Sequence, residues 1–113
     1  MKYTYFDREE FVRQAADNED IARQVAQLYH RDVAQELAAM EDAFASNNME
    51  AVRRLAHKSK SGFIIMGARE LYQLALNIEA RSKNGETDLK DDLVTFRKMC
   101  EGLDKEVVEA FKL

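Results

Sequence analysis

The chain has no proline and only four glycines in 113 residues. Proline breaks helices and glycine weakens them, so little here would interrupt a helical chain. One cysteine, Cys100, excludes an intrachain disulfide and makes a reducing, cytoplasmic setting the expectation. Positive charge does not prevail: 17 Lys+Arg stand against 21 Asp+Glu, for a net charge of −4. General nucleic-acid binding needs a basic footprint and is not expected. No apolar run approaches the ~20 residues of a membrane span. The opening MKYTYFDREE also lacks the apolar core of a signal peptide. The initiating methionine and an early helix cap favour a free-standing protein. What is present, 46% hydrophobic and 34% charged residues, suits a soluble globular chain. Its length suits a single domain over residues 1–113.

Apolar spacing and capping signals predict five helices. The first covers about residues 8 to 15, with Asp7 and Glu10 at capping-box spacing and Phe6 and Phe11 placed as a hydrophobic staple. The second runs from Glu19 to Ala45, capped by Asp17 or Asn18. Its inward stripe is read as Ile21, Val25, Leu28, Val33, Leu37, Met40 and Phe44. After SNN, with Asn47 as cap, the third runs from about Met49 to Met66 and is stopped by Gly67. The fourth spans about Arg69 to Ser82, with Leu71, Leu74, Ala75 and Ile78 inward. A turn at KNGETD carries a cap at Thr87 or Asp88. The fifth runs from Leu89 nearly to the end, with Leu93, Phe96, Cys100, Leu103, Val107 and Ala110 or Phe111 inward. Gly102 inside it has no evident purpose. Short connections make consecutive long helices antiparallel neighbours. The expected fold is all-α, an up-down four-helix bundle with a short extra N-terminal helix.

The third helix carries the unusual stretch RRLAHKSKSGFIIMGA. At about 100° per residue, Val52, Leu55, Ala56, Ser59, Phe63 and Met66 share the core arc. His57 falls almost opposite, among Arg53, Arg54, Lys58 and Lys60, with small Ser61 and Gly62 one turn on. Ile64 is a large apolar residue on this wet side. Singly, these features are ordinary: a solvated basic face, an exposed isoleucine, a helix stop. Together they describe a place that can hold an anion on an imidazole and admit a partner closely. His30 is read as lying on the outer face of the second helix with no comparable setting.

His57, Lys60 and Gly67-Ala68 resemble the histidine-containing phosphotransfer domain of bacterial and plant phosphorelays. That family carries H-x-[hydrophobic]-K-G-[S/G] and a glycine ten residues after the histidine. The stretches YHRDVAQELAAMEDAFASNNMEAVRRLAH and GARELYQLALNIEARSKNG extend the resemblance over nearly the whole chain. Two positions depart from the pattern. Ser61 stands where glycine is usual, followed by Gly62, and Ser59 replaces the hydrophobic residue two after the histidine. Ser59 is expected to bond back to the Leu55 carbonyl.

The resemblance implies that His57 is a phosphoacceptor, since a neutral imidazole nitrogen is nucleophilic near neutral pH. Lys60 would stabilise a group bringing roughly −2 charge. Arg53, Arg54, Lys58, Ser61, Gly62 and Ile64 would dock the partner. The implied partners are response-regulator receiver domains, whose aspartates exchange the phosphoryl group and whose pocket supplies Mg²⁺, and a sensor histidine kinase. No cofactor, nucleic acid or membrane is implied, and the chain is expected to be monomeric. The alternative is the same bundle as a passive receiver-binding module. A metal-dependent bundle enzyme is disfavoured: Gln27 stands where an E-x-x-H pair with His30 would need glutamate. There is no phosphate-cradling glycine loop and no ATP site to read, so the chain would carry phosphate and not generate it.

Overall fold

The computed structural model describes residues 2–113. The fold is all-helical: α1 (Arg8–Gln14), α2 (Glu19–Ala45), α3 (Met49–Ile65), α4 (Arg69–Lys83) and α5 (Lys90–Phe111), with no strand among the described residues. The Asp7 carboxylate accepts from the Glu10 N–H and starts α1, while the Phe6 and Phe11 rings meet at 5.6 Å. Asn18, not Asp17, caps α2 by accepting from the Ile21 N–H. These bonds satisfy N–H groups that have no partner within the helix.

Two expected caps are corrected. Asn48, not Asn47, caps α3, accepting from the Ala51 N–H. Asn47 instead takes a left-handed φ of 56°, and the N–H of Asn48 reaches the Ala43 carbonyl to close off α2. Asparagine tolerates that conformation, so one tract ends a helix and starts the next. The start of α5 has no side-chain cap at all, neither Thr87 nor Asp88. Leu89, completely buried, occupies the cap position. Arg81 of α4 ties down this turn, bonding the Asp88 carbonyl at 2.7 Å and pairing with Asp92 and Glu86.

The α2 stripe needs a larger correction. Val33, Leu37 and Met40 are buried as expected and Phe44 is half-buried. Ile21, Val25 and Leu28, however, are 46%, 37% and 48% exposed, and Ala22 and Ala26 take their place in the core. In the N-terminal half of α2 the helix is rotated so that alanines form the inner face and the larger side chains fall on its outer flank. The α5 stripe holds throughout, from Leu93 to Phe111.

α2 packs against α3 and α5, α4 packs against α3 and α5, and α1 touches α2 and α3. Three side-chain bridges show α2 and α5 running in opposite directions. Arg23 reaches the Phe111 and Lys112 carbonyls, His30 meets Asp104, and Glu41 meets Arg97. The N-terminal segment is strapped down by Glu106 of α5, which accepts from the N–H groups of Thr4, Tyr5 and Phe6. Gly102 now has a purpose: a Cβ there would collide with the Tyr5 ring. Burial of Cys100 pushes its thiol up to about 12. Among the described residues, no helix is long and apolar enough to cross a membrane.

α3 ends as expected at Gly67. Its φ is +68°, and the Ala68 N–H bonds the Phe63 carbonyl at 2.8 Å. A Cβ at Gly67 would also come within 2.6 Å of the Asp7 Cβ, where the cap of α1 packs. Gly67→Ala should therefore destabilise the fold by about 2 kcal/mol, from left-handed strain together with the clash. Urea denaturation of the two proteins measures this, and equal midpoints would contradict it.

Candidate functional site

The site lies on the outer face of α3, on the edge shared with α4. Val52, Ala56 and Phe63 of α3 are buried behind it, while Leu55 and Ser59 are half-buried. That inner arc forces the opposite face into water. The His57 side chain is 64% exposed, and Ile64 is 49% exposed. Arg54, Lys58, Ser61 and Gly62 are exposed on the same helix. Gly62 is open: a Cβ added there would meet nothing within 4 Å.

α4 supplies what the α3 stretch could not reveal. Its buried residues Leu71, Ala75 and Ile78 face the core, and Glu79 follows at the flank of that stripe. One Glu79 oxygen, Oε2, pairs with His57 Nδ1. The other, Oε1, pairs with Lys60 Nζ at 2.6 Å. Glu79 and Lys60 are largely covered, at 15% and 19% side-chain exposure. A carboxylate from the next helix thus offsets one of the cations around His57, Lys60, and holds the imidazole as well. Lys60 holds the Glu79 carboxyl below the usual carboxylate range, burial opposes this, and the His57 bond adds to the lowering. Ionised Glu79 can only accept hydrogen bonds, so it selects the tautomer with a proton on Nδ1. In a neutral ring Nε2 is then the nitrogen that carries the lone pair.

The other predicted residues divide. Arg53 is engaged in a two-pronged pair with Glu50, at 2.6 and 3.0 Å, and is less free than expected. The Ser59 hydroxyl bonds the Leu55 carbonyl at 2.9 Å, as read from the sequence, and also the Ala56 carbonyl at 3.1 Å. The description of His30 is corrected. It is exposed, but its Nδ1 lies 2.8 Å from Asp104 Oδ1. Both histidines therefore have a carboxylate partner, and the lysine on the Glu79 carboxylate sets His57 apart among the described residues. Those residues include no group of His, Cys, Asp and Glu able to hold a metal ion. Glu79 was missed by sequence reasoning. Its one signal is a carboxylate four residues after inward Ala75, which becomes meaningful only once α4 is laid against α3.

A family model described as Hpt domain matches residues 24–106. No curated protein and no solved structure matches the chain.

The Glu79 carboxyl is lowered by folding, so its contribution to stability is present above its unfolded value, near 4.5, and is lost as pH falls through the lower folded value. Glu79→Gln should cost roughly 1 kcal/mol at pH 7. The difference from wild type should shrink as pH falls below 4.5. Thermal melts of both proteins across a pH series test this. A gap that stays constant into acid would show that the Glu79 charge does not hold the site.

Proposed function

We propose that this chain, which belongs to the Hpt domain family, carries a phosphoryl group on His57. Hpt domains are phosphocarriers of two-component phosphorelays and work with receiver domains and kinases. In this reading α2 to α5 form the antiparallel four-helix bundle, with α1 as the extra helix and the whole chain as one domain. A receiver aspartyl phosphate, or a kinase, delivers the group to His57. A second receiver aspartate removes it.

The arrangement of His57 on Glu79 supports the reading most. With the proton held on Nδ1, the Nε2 lone pair attacks the phosphorus of the acyl phosphate. The N–P bond forms, the bond to the carboxylate oxygen breaks, and the aspartate leaves as a carboxylate. No proton need move, since Nδ1–H stays on Glu79. Positive charge growing on the ring is met by that carboxylate. Lys60 keeps Glu79 ionised and brings positive charge beside the incoming group. Return transfer reverses the same steps.

Arg54, Lys58, Ser61, Gly62 and Ile64 form the docking surface, with Arg53 at its edge beside Glu50. Small residues one turn from the imidazole let the receiver close over it, and a Mg²⁺ in the receiver's own pocket would supply charge stabilisation for the phosphoryl group. Ile64 keeps about half of its surface in water, 49%, and covering that remainder by a partner contributes roughly 1 kcal/mol, about half the value for a fully buried side chain.

Two experiments test this. Incubation with phosphorylated receiver domains should place an acid-labile label on the wild type and none on His57→Gln. Stability should shift by less than about 1 kcal/mol, because glutamine can still donate to Glu79. Undiminished labelling of His57→Gln would remove the assignment, and binding without any label would favour a passive module. Separately, Ile64→Asp should weaken receiver binding at least about tenfold, a change of 1.4 kcal/mol, with an unaltered melt. Phe63→Asp, at a position only 2% exposed, should unfold the domain. A collapsed melt for Ile64→Asp would contradict its place on the surface.

A further inference from the structure

Between α2 and α3 lies a half-open groove of about 280 Å³. A void of about 150 Å³ already holds a benzene ring. Its floor is apolar, made by Val33, Leu37, Phe63, Met66 and Phe96, all buried. Val25 and Leu28 of α2 and Ile65 of α3 rim it, each more than a third exposed. Val25 and Leu28 are side chains that the inward alanines of α2 displace into solvent.

The groove is open because the α3 bank is built from small residues. Ser59, Ser61 and Gly62 line it where bulkier side chains would fill the seam. The Ser59 hydroxyl is consumed by the Leu55 and Ala56 carbonyls, so it adds no unsatisfied polar group to the wall. Gly62 leaves the mouth clear. Lys58 on one bank and Asp32 and Glu36 on the other give the rim both signs of charge. An apolar centre inside a polar rim is the anatomy of a protein interface.

Position selects the occupant. Lys58 follows His57 directly, and Ser61 and Gly62 come one turn later, about 6 Å along the axis. Those three residues belong both to the groove and to the surface around His57. A receiver that closes on the imidazole covers the groove mouth. We propose that the receiver inserts one large apolar side chain into this α2–α3 groove, and that Ser59 and Gly62, by leaving it open, determine which receivers exchange phosphate with His57. The proposal rests on the phosphocarrier reading, but binding can be measured without transfer. Such a residue clusters binding energy at one anchor, while the charged rim steers and excludes.

The test uses the full chain and each receiver domain of its source organism, purified singly. Binding is followed by ¹⁵N NMR titration, and transfer by acid-labile label on His57. Ser59→Leu fills the groove from within. Gly62→Leu closes its mouth at an exposed helical position that leaves the fold intact if Ser59→Leu does not. At least one receiver should shift resonances of Val25 and Leu28 together with those around His57. Each variant should weaken that receiver at least tenfold, with KM rising and kcat within about twofold. Wild-type affinity in the folded variants, or a binding footprint that omits α2, would overturn the groove. If a receiver binds through the groove but never labels His57, the phosphocarrier reading falls and the groove stands. If no receiver binds, both fall.

Discussion

The seam between α3 and α4 is the constraint on which the site depends. Both helices bury alanine in the shared core, Ala56 on one and Ala75 on the other, with no exposed area at either. Small residues let helix axes approach. The approach brings Glu79 within reach of His57 and Lys60 at once. The carboxylate then does three things through one contact set. It offsets the Lys60 charge, accepts from His57 Nδ1, and fixes the ring against α4. Without that seam, His57 would be an ordinary exposed histidine in a repulsive setting.

The ends of α3 are fixed from outside it. Asn47 and Asn48 turn the chain from α2, and Gly67 turns it into α4. α1 bears on the second turn, since the Asp7 N–H bonds the Met66 carbonyl at 3.2 Å. The strap held by Glu106 and the ring of Tyr5 over Gly102 extend this fastening to α5. Rotational register of α3 is thus set at both termini. A rotation of even one residue, about 100°, would carry His57 away from Glu79 and put Ile64 elsewhere.

The outer surface follows from how α2 is rotated, as much as from which residues are apolar. α2 has more apolar positions than its neighbours can cover. In its N-terminal half alanines take the interior, and larger Ile21, Val25 and Leu28 are left outside. On the facing bank, Ser59 and Gly62 underfill the seam. The same mismatch in side-chain volume creates both an exposed apolar rim and a groove beside the histidine.

Much of this was legible in the sequence. Periodicity placed the five helices to within a residue or two, because burial of one face imposes a repeat that local spacing records. The α5 stripe, the core arc of α3, the outward placement of His57 and Ile64, and the stop at Gly67 all followed from it. The caps were less certain, since adjacent polar residues compete and burial of Leu89 overrode a side-chain cap. The inner face of α2 departs from the expected stripe because hydrophobicity ranks isoleucine above alanine, whereas the rotation of the packed helix turns Ala22 and Ala26 inward. Glu79 and Asp104 were out of reach altogether. Each meets its histidine across two helices and more than twenty residues of chain. The sequence determined that α3 would present an exposed histidine beside a lysine. Only the tertiary structure decided which carboxylate would hold them, because that depends on the rotation and separation of two packed helices, which no single helix encodes.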